Sequence, residues 1–174
     1  PDLNAGRYLA TLDEYAETIR ARLPADAFPE QKILAMNYHL FRELGYNGNI
    51  DNYYDRRNSY LNEVIDRRTG IPLTLSILYM EIGKRVGLNI HGVSFPGHFL
   101  VKLKVRRGHL VIDPFIGGET QSEADLRQRL AHGVGHQHAD QVGLAGVVVE
   151  GRSGGVLARQ PAHVADDRID LGVL

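Results

Sequence analysis

Residues 73–86, LTLSILYMEIGKRV, are apolar around nearly the whole circumference of a helix, and a helix without a polar face belongs in a protein interior. Pro72 stands where a first turn tolerates a missing N–H, and Gly87 suits the left-handed position that closes a helix. Such a segment has to be wrapped by other elements. Three candidates follow it directly, because residues 89–95, 99–105 and 109–113 are rich in Val, Ile, Leu and Phe, with Arg106, Arg107 and Gly108 between the last two. They predict three strands, the last two forming a hairpin.

Upstream, Leu9, Leu12, Ala16, Ile19 and Leu23 recur at intervals of three and four, with Asn4 placed to cap the helix they predict. A second helix is predicted from Pro29, with Ile33, Met36, Leu40, Phe41 and Leu44 on one side and Gly45 at its end. Residues 46–58, rich in Asn, Asp, Gly and Tyr, read as an ordered loop. Ser59 is expected to cap a short helix carrying Tyr60, Leu61, Val64 and Ile65 and stopping at Gly70. Ser122 is expected to cap a last helix holding Ala124, Leu126 and Leu130. Beyond His132 the chain turns to Gly, Ala, Val and His, with LAGVVVEG as its strand-like run. We therefore expect one domain over residues 1–131 and a C-terminal extension over residues 132–174.

Composition narrows the function classes. Apolar residues make up 43% and charged residues 24% of 174 residues, which is the balance of a folded globular domain. A formal net charge of -1 without a block of one sign argues against nucleic acid and against anionic membrane surfaces as partners. No apolar run approaches a membrane span, and residues 1–15 lack a basic-then-apolar leader, so a cytoplasmic protein is expected. The chain contains no cysteine, which excludes disulfides, thiolate metal sites and thiol nucleophiles.

In the hairpin, Phe99, Val101, Leu103 and Val105 alternate with Leu100, Lys102 and Lys104, and Leu110 and Ile112 are the apolar match on the partner strand. Pairing these sets puts His98 and Asp113 together on the other face. A tight turn at Arg107 and Gly108 would offset the two along the strands, whereas a wider turn near Val105 and Arg106 would bring them opposite. A carboxylate beside an imidazole fixes its tautomer and supports its protonated form, as in nucleophile, base and orienter triads. The third member of a triad would stand at the start of the buried helix, where the helix dipole favours developing negative charge. The residues there are Pro72, Leu73, Thr74 and Ser76.

The motifs GIPLTLS, FPGHFLV and IDPF, in that order, resemble the transglutaminase-like domain of the bacterial SirB-type family, within the wider transglutaminase and papain-like superfamily. The likeness covers about residues 34–130. It implies an α+β, papain-like core, with a buried central helix packed on an antiparallel sheet and helices N-terminal to it. It also implies a Cys at the helix start, a His opening a strand and an Asp ending the next. His98 and Asp113 carry over with the superfamily's fifteen-residue step; counting fifteen back from Gly87 puts the Cys position at Pro72, within two residues of Thr74. The cysteine itself is missing.

Two functions remain in view. In the first, the domain is a non-catalytic transglutaminase-like module that binds a peptide or protein, with regulation as one role. In the second, it is a hydrolase or acyl transferase in which Thr74 or Ser76 attacks, His98 is the base and Asp113 orients it. A hydroxyl at a helix start more often caps the first turn than attacks, which favours the first reading. Tyr53, Tyr54, Asp55, Arg56, Arg57 and Asn58 are candidates for a recognition rim, since Tyr and Arg dominate interaction hot spots, with Tyr54, Arg57, Asn58 and Pro72 as its contacts. The same loop read as structure packs its rings over helix ends and pairs its own charges. His132, His136 and His138 have ligand-like spacing in a Gly-rich context that suits a solvated tail better. We expect no metal and no cofactor, and the pattern leaves the oligomeric state open.

Overall fold

The computed structural model describes residues 3–133. Helix α1, Ala5–Arg20, starts at Asn4, whose side chain accepts from the Arg7 N–H, and it buries Leu12, Ala16 and Ile19. Helix α2, Pro29–Asn37, uses the fixed φ of its leading proline and runs into a π-helical turn over Tyr38–Glu43. The expected second helix is thus present, with a wider last turn that sequence periodicity does not signal. Ile33, Met36 and Leu40 are buried along it.

A two-residue strand β1, Asn47–Gly48, interrupts the predicted loop, which ends in a 3-10 turn over Arg56–Ser59. Helix α3, Leu61–Arg67, has Tyr60 at its N-cap without a side-chain hydrogen bond. Ser59 closes the preceding 3-10 turn instead of capping the helix, because the chain is extended at Tyr60. The helix also stops two residues before the expected Gly70, at Arg68, whose φ of 55° is left-handed. That early stop frees β2, Thr69–Gly70, to pair in parallel with β1.

Helix α4, Pro72–Arg85, is the expected interior helix, burying Leu75, Leu78, Tyr79 and Ile82. Gly83 is also buried there, with the Ile90 side chain where a Cβ would stand. Strands β3 (Ile90–Phe95), β4 (His98–Val105), β5 (Gly108–Asp113) and β6 (Glu119–Thr120) follow as an antiparallel sheet in that order. The β4–β5 turn pairs Val105 with Gly108 around Arg106 and Arg107, a third register beside the two weighed from sequence. Helix α5, Glu123–Gly133, starts at Ser122, which exchanges hydrogen bonds with Asp125.

The sheet lies between two helices. Val101, Leu103 and Ile112 share a core with α4, α1 and α2, while Phe95, Leu100 and Val111 on the other surface form a smaller cluster with Leu126 of α5. The architecture is α+β, with a buried central helix packed on an antiparallel sheet and further helices N-terminal to it, as expected. Among the described residues no helix is long and apolar enough to cross a membrane. The LAGVVVEG run, His136 and His138 lie outside the described residues.

Candidate active site

His98 opens β4 and Asp113 closes β5. In the observed register Asp113 stands across from Leu100, two residues along β4 from His98, so the pair meets diagonally. Nε2 of His98 lies 2.9 Å from both carboxylate oxygens of Asp113. Asp113 is fully buried and also accepts from the Phe115 N–H, which starts the short 3-10 turn after β5, and from the Arg129 guanidinium of α5 at 2.9 Å. A buried carboxylate needs such partners, since an unpaired charge away from water is costly. With Nε2 turned to Asp113, Nδ1 is the nitrogen left for a reacting group.

Arg129 was not legible as a site residue. Its one signal is its position beside Leu126 and Leu130, three after the first and one before the second, which puts a cation at the border of the stripe α5 turns to the sheet. Its side chain keeps 34% exposure and lines a groove of ≈ 450 Å³ with Ile116, Thr120, Gln121 and Gln128. Arg129 therefore touches both the buried carboxylate and open space.

The hydroxyls at the head of α4 are occupied. Thr74, 4% exposed, donates to the Asn58 carbonyl at 2.8 Å and accepts from the Ile71 N–H at 3.2 Å, tying the helix start to the preceding loop. Ser76 is fully buried with Oγ 3.4 Å from the Phe99 carbonyl, one residue from His98. Neither hydroxyl is hydrogen-bonded to the imidazole. Pro72, where the resemblance puts the cysteine, is buried and offers no nucleophilic atom.

The loop before α3 divides into base and rim. Asn58 is fully buried: its amide donates to the Asn52 and Tyr53 carbonyls and its oxygen accepts from Asn49. Expected on the rim, it is instead the residue that holds the loop's shape, as buried amides must find partners. Pro72 likewise faces the interior. Arg57 is exposed and paired with Asp55, which the Arg57 side-chain hydrogen bonds hold down to a pKa of about 2. Tyr54 is 94% exposed and packs edge to face on Tyr53, Tyr53 on Phe115, and Phe115 on His98, with ring centroids 5.3, 6.3 and 5.7 Å apart. An aromatic chain thus leads from the loop to the imidazole. Gly48 makes room for it, since a Cβ there would meet the Phe115 ring at 2.5 Å. Among the described residues no group of three His, Asp or Glu side chains has metal-binding geometry.

Comparison with known proteins adds the lineage. The family model described as the transglutaminase-like superfamily matches residues 6–147. A UPF0162 protein of Xylella fastidiosa is 43% identical over 148 residues, covering 85% of this chain and 53% of that protein. A UPF0162 protein of Vibrio cholerae is 35% identical over 56% of this chain and 35% of its own. Human F-box only protein 21 is 43% identical over 72 residues, covering 41% of this chain and 12% of that protein. The chain spans about half the length of the Xylella relative. No solved structure matches significantly.

Proposed function

Because the chain belongs to the transglutaminase-like superfamily and carries no cysteine, we propose that it binds a peptide or protein segment on the surface around His98 without covalent chemistry. The observation that carries this reading is the state of the α4 hydroxyls. Thr74 is held by Asn58 and Ile71 and Ser76 is buried against Phe99, so among the described residues the His98–Asp113 pair has no nucleophile in hydrogen-bond contact. Beside it, Tyr54 exposes nearly its whole ring at the end of a rigid aromatic row, the kind of anchor that dominates interfaces. Within the superfamily we assign the chain to the SirB type on the GIPLTLS, FPGHFLV and IDPF motifs, and we assign it a cytoplasmic setting.

A competing acyl-transfer reading draws on the His98–Asp113 geometry, which suits a general base with its orienter. It requires a hydroxyl to leave its present partners and reach Nδ1, within the roughly 3 Å of a hydrogen bond. The two readings separate with a fluorophosphonate probe and a peptide array. Binding without chemistry predicts no labelling, together with peptide binding that survives His98→Ala and is lost in Tyr54→Ala. Labelling that disappears in Thr74→Ala or His98→Ala would make the domain a hydrolase or transferase.

A further inference from the structure

Away from the His98 site, strands β3 to β5 gather two lysines, two arginines and two histidines that no described carboxylate pairs with. On the surface that α5 partly covers, the register sets His91 beside Lys102 and Lys104 beside His109, and the turn adds Arg106 and Arg107. Lys102 and Lys104 lie two residues apart on one strand face, about 7 Å at the rise of a β-strand. Among the described residues none of these six side chains forms an ion pair, whereas Arg7, Arg22, Arg57, Arg85 and Arg127 each do. Lys102, Lys104, Arg106 and Arg107 thus put four positive charges at one end of the sheet, on a chain whose net charge is -1. Arg106 is also held in place, with its guanidinium 4.9 Å over the Phe28 ring. Leu100, buried under α5, lies between this cluster and His98, with about 13 Å of strand from His98 to Lys102 and about 20 Å to Lys104.

We infer that the β3–β4–β5 surface bearing His91, Lys102, Lys104 and His109, with Arg106 and Arg107 at its tip, is a docking surface for an extended acidic segment of a partner protein. The complementarity is of charge and spacing: alternate residues of an extended peptide point the same way at the same ~7 Å interval as the two lysines. Nucleic acid fits less well, since none of the six residues is a Phe, Tyr or Trp and the chain as a whole lacks a basic excess. This surface is separate from the aromatic site and does not depend on its function.

The test is fluorescence polarisation of the whole chain with a labelled peptide of alternating Glu and Ser. A neutral Gln-Ser peptide, a twelve-nucleotide single strand and vesicles containing phosphatidylserine serve as the other arms. Saturable binding of the Glu-Ser peptide is expected, weakening at least about tenfold between 50 and 300 mM salt as screened charges predict. The double variant Lys102→Glu, Lys104→Glu should weaken it at least tenfold with an unchanged melting temperature, and Lys102→Arg, Lys104→Arg should retain it. Amide NMR shifts should centre on His91, Lys102, Lys104 and His109. Absence of saturable peptide binding, affinity unmoved by charge reversal, or tighter binding of the oligonucleotide or the vesicles would each overturn the inference.

Discussion

On the sheet surface that meets α4, strands β4 and β5 present Val101, Leu103 and Ile112, all buried, in one continuous core with helices α1 to α4. On the opposite surface the same strands carry His98, Leu100, Lys102 and Lys104 against Asp113, Val111 and His109, and α5 covers only the middle. The alternation of a strand lets one sequence serve both surfaces, since adjacent residues face opposite ways. The first surface holds the fold together. The second has a small apolar patch flanked by a buried ion cluster at one end and, at the other, Lys102 and Lys104, which form no ion pair among the described residues, an arrangement suited to contacts with other molecules.

Substitutions can break that contrast, starting with the apolar side. Leu103→Ala, in the larger core, should cost about 3 kcal/mol by lost transfer energy and the cavity left behind. Leu100→Ala should cost less, because the smaller cluster under α5 can collapse more readily; denaturant melts of both variants that reverse this order would remove the distinction. Asp113→Ala should come next, at about 2 kcal/mol, below the range for a fully buried pair because water reaches His98 and Arg129. A double-mutant cycle with Arg129→Gln should show coupling between positions 113 and 129, and additive losses would mean that α5 is not anchored through the carboxylate.

Thr74→Ala should lose about 1 kcal/mol by removing the bonds between α4 and Asn58, and Thr74→Ser should recover most of it. Full stability in the alanine variant would return the hydroxyl to consideration as a nucleophile. The smallest effect is local. Asp55 has a folded pKa of about 2, lowered chiefly by Arg57, so its contribution is present above the unfolded value near 4 and lost as pH falls through about 2. Amide exchange at residues 52–58 should rise over that window while the core strands stay protected.

Much of this arrangement could be read from particular residues. The unbroken apolar run after Pro72, the Asn4 cap and the alternation in the hairpin each depend on neighbours within a few positions, and each element formed near the expected residues. The shared face of His98 and Asp113 followed from the same alternation, though the turn at Arg106 and Arg107 had to be seen to fix their offset. What escaped depends on partners far along the chain. The β1–β2 pair joins Asn47 and Gly48 to Thr69 and Gly70, two-residue strands too short for any period, and β6 is equally brief. Asn58 looked like a surface polar residue because no local pattern reveals that the loop closes over it. Arg129 looked like an ordinary helix cation, since its partner lies sixteen residues back on a strand.

The placement of Asn58 has a consequence for how the exposed rings can change. Its hidden carboxamide grips the carbonyls of Asn52 and Tyr53, while its backbone carbonyl accepts from Thr74 in the first turn of α4. Tyr53 and Tyr54 therefore stand on a foundation independent of their own identity, and either ring can be exchanged for a different shape while the scaffold keeps its pose. Asn58→Asp would do the reverse, setting an acceptor against two acceptors and collapsing the platform while leaving every outward-facing atom chemically intact.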